Sequence, residues 1–144
     1  MSTTLPEELE DIVAEFDAVG DQERLQLLLE LADELPELPS RYADHSELLE
    51  QVHECQSPLF LAVEVDDDTV HLFFDAPAEA PTTRAFASIL HTGLDGQSID
   101  TVLGIPDDFY TRLGIMDTVS PLRIRGLAAM LGRIKNNVRN AHAN

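Results

Sequence analysis

The chain carries one sulfur nucleophile, Cys55, in the stretch "VHECQSP" just before the apolar run from Leu59 to Val65. A lone thiol forms no internal disulfide and, without a second sulfur, no thiolate-rich metal cluster; what remains is packing, nucleophilic chemistry or exchange with another sulfur compound. Free cysteine is among the most buried residue types, so packing is the simplest account of Cys55 taken alone. Its neighbours point the other way. Glu54 on one side and Gln56, Ser57 and Pro58 on the other mark a turn leading into a strand, and turns of that kind carry function more often than core. His53 is the nearest candidate base for a Cys/His pair, but a hydrolase would also need an orienting group and an oxyanion site, and neither is recognisable. Glu54 beside the sulfur disfavours the thiolate, the reverse of how a catalytic cysteine is activated. A thiol held quiet at rest suits a carrier better than an enzyme.

Little else in the chain does chemistry. His45, His71, His91 and His142 are scattered, without two histidines at i and i+4, and so give no metal-ligand spacing. Asp66 to Asp68 are consecutive carboxylates that point in different directions, a solvated turn and not a calcium loop. Gly93 and Gly96 do not follow a strand, and no phosphate-cradling loop or nucleotide fingerprint is present. The expectation is therefore no cofactor and no metal. A net charge of −18 argues against nucleic acid, whose binding rests on Lys and Arg neutralising phosphates. The charge is also polarised: residues 1–100 carry 24 acidic against 3 basic residues, whereas residues 101–144 carry 3 against 6. Such asymmetry fits either a solvated acidic surface or docking to a protein partner through a basic final helix. No apolar run approaches the roughly 18 to 20 residues that span a bilayer, and the first residues lack the pattern of a signal peptide, so a cytoplasmic protein is expected. With 144 residues and 44% hydrophobic content, one domain over residues 1–144 is expected.

The elements that must position Cys55 follow from periodicity. Leu9, Ile12, Val13 and Phe16 predict a first helix, with Thr4 and Glu7 as a capping box and Gly20 as its stop. Asp21 is expected to cap a second helix with a broad stripe of Leu25, Leu28, Leu29, Leu31 and Ala32, ended by Pro36. "PELPSRYADHSE" has no clear period and reads as a loop. Leu59–Val65 and Val70–Phe74 around "DDDT" predict a β-hairpin. Phe86, Ile89, Leu90 and Leu94 mark a helix across the sheet, frayed at Gly93 and Gly96. Ser98 and Asp107 open two short helices through Leu103 and Leu113, with Gly104 and Gly114 suited to left-handed caps. Ser120 and Pro121 open a last helix whose buried stripe is Leu127, Met130, Leu131, Ile134 and Val138. The order of elements predicts an α+β domain, a small antiparallel sheet with helices packed on one face.

Three blocks in this order resemble the SufE family of sulfur acceptors: "LADELPELP", "VHECQSPLFLAVEV" with its Cys-Gln-Ser before a hydrophobic strand, and "VSPLRIRGL", similar to Ser-Pro-x-Arg-x-x-Gly-Leu. The resemblance implies a SufE/IscU-like fold with the cysteine at a loop tip. It implies that Cys55 accepts sulfur from the persulfide of a SufS-type cysteine desulfurase, stimulates that enzyme, and relays the sulfur to the SufBCD scaffold for iron–sulfur cluster assembly; the protein itself would be a carrier and not an enzyme. Glu54, Gln56, Ser57, Arg84 and Arg123 are the candidates for supporting the cysteine loop or meeting the partner, Arg84 at a position usually basic in the family and Arg123 as the arginine of the third block. Sulfur transfer is thiolate attack on a sulfur–sulfur bond, for which one cysteine suffices, and a second would resolve the persulfide as a disulfide. The chain departs from the family pattern at Glu54, where glycine is frequent, at Pro58, where a polar residue is common, and at Ala85, where glycine usually follows the basic residue. These departures bear on loop flexibility and partner choice. The alternative reading is an acidic interaction module in which Cys55 only packs.

Overall fold

Alternating apolar residues build the centre of the molecule. A computed structural model describes residues 5–55 and 58–143, with side chains through residue 141. β2 (Phe60–Asp66) and β3 (Thr69–Asp75) pair antiparallel in the register Leu61 opposite Phe74, Val63 opposite Leu72 and Val65 opposite Val70. Because side chains alternate across a strand, these six residues share one face, and that face meets the core. Asp67 makes the turn with φ 58°, a left-handed conformation that aspartate tolerates better than most residues. Asp66, Asp67 and Asp68 are exposed, as a solvated turn should be.

A third strand lies beyond what periodicity predicts. β1 (Glu50–Gln51) pairs antiparallel with the start of β2, giving the order β1-β2-β3. Helices α4 (Pro81–Leu94) and α6 (Pro121–Ala143) pack on the core face of the sheet, and α1 (Glu7–Asp17) and α2 (Asp21–Asp33) pack in turn on α4. This is the α+β arrangement anticipated. One addition is α3 (Ser40–Ala43), a single turn inside the segment expected to be loop, followed by a 3-10 turn over Ser46–Leu48. It places Arg41 and Tyr42 on the opposite face of the sheet, where the ring of Tyr42 lies 4.9 Å from that of Phe73 and its hydroxyl donates to Glu64 at 2.6 Å.

Several local expectations are corrected. Pro6 stands immediately before α1, and Thr4, expected to form a capping box with Glu7, lies outside the described residues. The stripe of α2 is narrower than predicted: Leu28 and Ala32 are buried, but Leu25 and Leu29 are exposed because α4 covers one side of the helix only. Gly20 begins α2 and does not stop α1, and α2 ends at Asp33 before reaching Pro36. Gly93 does not fray α4; a Cβ there would lie 3.0 Å from Leu9, so glycine allows α1 to approach closely. Ser98 caps α5 (Ile99–Leu103) by accepting from the Thr101 N–H at 3.1 Å, as expected, but Gly104 stays right-handed at φ −82°. The 3-10 turn Phe109–Leu113 does end on a left-handed residue, Gly114 at φ 67°. In α6 the five stripe residues are wholly buried.

Candidate functional site

The cysteine loop joins β1 to β2, and its base is closed by the core. The Val52 N–H donates to the Leu59 carbonyl at 2.8 Å, and both side chains are completely buried. Above that base the chain reverses: the Cys55 N–H donates to the Val52 carbonyl at 3.3 Å, which places Cys55 at the end of a tight turn. Gln56 and Ser57 lie outside the described residues. Cys55 is half-buried and packs against the edge of the core.

The floor under the sulfur is α6. Cys55 Sγ lies 3.8 Å from the Gly126 carbonyl oxygen, and a Cβ at 126 would sit 3.1 Å from that sulfur and 3.5 Å from Cys55 Cα. Glycine here leaves a dent into which the cysteine settles. Two turns further along α6, Arg133 donates from Nη1 to Glu50 Oε2 at 2.6 Å and from Nη2 to Glu54 Oε1 at 2.8 Å. Asn137 adds a hydrogen bond to Glu50 Oε1 at 2.8 Å. Sequence reasoning did not single out Glu50, Gly126, Arg133 or Asn137. Gly126 falls within the quoted "VSPLRIRGL" block, and the unusual carboxylate of Glu54 beside a thiol was itself a sign that a cation must lie nearby.

The electrostatics follow from this geometry. Burial, and then the charge of Glu54, push the Cys55 thiol up to about 11, against a smaller opposing pull from Arg133. The hydrogen bond from Arg133 holds the Glu54 carboxyl below the usual glutamate value, and that from Asn137, followed by Arg133, does the same for Glu50. The resting site is thus a protonated, weakly nucleophilic thiol. His53 is exposed, and no hydrogen bond joins it to Cys55 among the described residues.

The remaining candidates sit apart from one another. Arg123 is half-buried in the first turn of α6, one turn before Gly126; its backbone N–H is held by the Ser120 carbonyl and hydroxyl, and among the described residues its guanidinium makes no hydrogen bond. Among the described residues Arg84 does not bond to the cysteine loop. Its guanidinium donates to the carbonyls of Ala32 at the end of α2 and Ala76 after β3, at 3.3 and 2.7 Å, and ties those two elements together. His71 and His91, scattered in sequence, both approach Asp95, at 3.8 and 3.9 Å. No group of three residues able to hold a metal ion occurs among the described residues, and no helix there is long and apolar enough to cross a membrane.

Comparison with known proteins places this geometry in a family. Residues 10–138 match the model of the SufE domain, described as an Fe-S metabolism associated domain. An uncharacterized SufE-like protein of Mycobacterium tuberculosis is 54% identical over 139 residues, 96% of either chain. A chloroplastic/mitochondrial SufE-like protein 1 of Arabidopsis thaliana is 27% identical over 128 residues, covering 88% of this chain and 33% of that one. The solution structure of a hypothetical protein from Thermus thermophilus superposes with a TM-score of 0.85 at 39% identity, over 98% of this chain and all of that one. The chain belongs to the SufE family, and with it to sulfur transfer in iron–sulfur metabolism.

Proposed function

We propose that Cys55 accepts sulfane sulfur from a SufS-type cysteine desulfurase, stimulates that enzyme by removing its persulfide, and passes the sulfur to a SufBCD scaffold. In the transfer the Cys55 thiolate attacks the outer sulfur of the donor persulfide, a new sulfur–sulfur bond forms on Cys55, and the donor cysteine leaves as its thiolate. One persulfide is consumed and one produced, so no outside oxidant or reductant is required. The observation that carries the reading is a half-buried thiol at the end of a turn, resting on the bare backbone of Gly126 at the edge of the core. Movement of the turn alone brings the sulfur to solvent. It also lowers the thiol towards its ordinary value by removing the burial that raises it, so docking and activation become one event. Sheltering the sulfur between encounters limits its oxidation to sulfenic acid. Arg123, beside the seat of the sulfur, is the candidate for contact with the donor; Gln56 and Ser57 complete the loop.

The rival reading, an acidic interaction module with a purely structural Cys55, draws on the contact of the sulfur with the core. One experiment separates the two. The protein is incubated with a cysteine desulfurase and cysteine, and its intact mass is measured. Gain of one sulfur atom that is lost in Cys55→Ser, together with loss of desulfurase stimulation, supports the acceptor role. A Cys55→Ser variant that still gains sulfur and still stimulates turnover refutes it.

A further inference from the structure

Two carboxylates, Glu50 in β1 and Glu54 within the turn that ends in Cys55, stand close together in a chain whose net charge is already −18. Each raises the energy of the other, and Glu54 also opposes ionisation of the thiol. Both nevertheless converge on one guanidinium. Arg133 offers a separate nitrogen to each, at 2.6 and 2.8 Å, so that a single planar fork ties the turn to the strand that leads into it. Asn137, one turn on, holds the second oxygen of Glu50. Gly126, Arg133 and Asn137 lie at spacings of seven and four residues and therefore along one stripe of α6, which is the surface the loop lies on.

We propose that Arg133 is a positioning residue: by clasping Glu50 and Glu54 it keeps the cysteine turn seated on α6, with the sulfur in the dent at Gly126, and it governs how readily the turn opens. The clasp lies at the surface, with side-chain exposures of 27, 42 and 44% for Arg133, Glu50 and Glu54. Ion pairs in that setting are weak singly and are screened by salt, which suits a contact that must be released and remade. Arg133 acts through the loop and touches no reacting atom. The consequence for sulfur transfer rests on the acceptor role given to Cys55; the clasp itself does not.

The two possible roles of Arg133 predict opposite signs. If the turn stays seated whatever occupies position 133, loss of the cation leaves Glu54 bare beside the sulfur, the thiolate becomes rarer, and alkylation slows. If Arg133 holds the turn down, its loss exposes the sulfur and relieves the burial that dominates its raised pKa, and alkylation quickens. The test is the pH profile of Cys55 alkylation by iodoacetamide, an uncharged reagent, on the free full-length protein at low and high salt. Arg133→Gln is expected to react about fivefold faster than the natural protein near pH 8 at low salt, with its profile displaced to lower pH. Added salt should quicken the natural protein and leave Arg133→Gln unchanged. Arg133→Lys should fall between them, because a compact ammonium cannot span both carboxylates. An Arg133→Gln rate equal to or below that of the natural protein overturns the proposal. Should Arg133→Gln lose its cooperative melt, Glu50→Gln decides, since it cuts the clasp at its far end while leaving Glu54 beside the sulfur: faster alkylation supports the clasp and an unchanged rate overturns it. Persulfide loading of the natural protein, measured separately by mass, keeps the two ideas distinct. Loading without acceleration in the variants sinks the clasp alone, and acceleration without loading sinks the acceptor role alone.

Discussion

Replacing Gly126 should release the thiol without weakening the fold. The three nearest atoms to a Cβ at 126 all belong to Cys55: the sulfur at 3.1 Å, Cα at 3.5 Å and Cβ at 3.8 Å. Ordinary contact for such atoms is about 3.5–4.0 Å, so Gly126→Ala obliges the cysteine to retreat by about 0.5 Å, and the branched side chain of Gly126→Val obliges it to leave the dent. The helix itself gains: alanine is favoured over glycine in a helix interior by about 1 kcal/mol. The expected reactivity follows from the thiol, pushed up to about 11 from an ordinary 9.0. Near pH 8 a return to the ordinary value raises the thiolate fraction about a hundredfold, but the less basic thiolate is a poorer nucleophile, with a Brønsted slope of about 0.4–0.5, and about tenfold remains. Gly126→Ala should therefore react about two- to fivefold faster than the natural protein, and Gly126→Val about tenfold faster, with an uncharged disulfide reagent such as dipyridyl disulfide. The melting temperature of Gly126→Ala should not fall. If both variants melt cooperatively and react no faster than the natural protein, the dent does not restrain the sulfur and the account of a sheltered thiol is wrong.

Other consequences are simpler to state. Arg84→Ala removes a charged donor from the carbonyls of Ala32 and Ala76 and should cost about 1.5–3 kcal/mol in urea unfolding. Gly93→Ala brings a methyl to 3.0 Å from the buried side chain of Leu9; an overpacking cost of about 1–3 kcal/mol should outweigh the gain in helix propensity of about 1 and lower the urea midpoint. Acid should loosen the clasp. Glu50 and Glu54 titrate below their ordinary 4.5 in the folded protein, so their contribution to stability is complete above that value and is lost as pH falls through the lowered values. Thermal melts from about pH 6 down to pH 3 should therefore show the natural protein losing part of its advantage over Arg133→Gln; a constant difference between the two would count against it.

How much of this was legible in the sequence depended on whether a contact is local. The hairpin announced itself because Leu61, Val63, Val65, Val70, Leu72 and Phe74 alternate within their own strands, and α6 because its apolar stripe recurs at helical spacing over three turns. β1 left no such mark: Glu50 and Gln51 are two exposed polar residues that become a strand only because β2 offers them an unpaired edge. Gly93 misleads for a related reason. A glycine near a helix end suggests fraying, whereas its purpose here is a contact with Leu9 in a different helix. The site divides the same way. Cys55 could be placed at a turn from its immediate neighbours, but its surroundings come from Gly126 and Arg133, brought there by the packing of α6 on β2.

That packing gives the polarity of charge along the chain a structural meaning. Of the six basic residues after residue 100, three are engaged within the molecule: Arg112 with Glu10 at 2.8 Å, Lys135, buried, with the Ile105 carbonyl and Asp107, and Arg133 with Glu50 and Glu54. Part of what looks like a docking surface in the sequence is thus internal neutralisation, needed where acidic loops fold onto the final helix. Arg123 and Arg125 are different. They stand in the first turns of α6, where the positive end of the helix dipole disfavours cations, and among the described residues neither forms an ion pair. Positive charge at that place, within one turn of Gly126, gains nothing from the helix, which suits the donor contact proposed above for Arg123. On the two proposals above, the basic end of the chain serves twice: Arg133 holds the cysteine turn on α6, and Arg123, nearly three helical turns earlier, meets the donor.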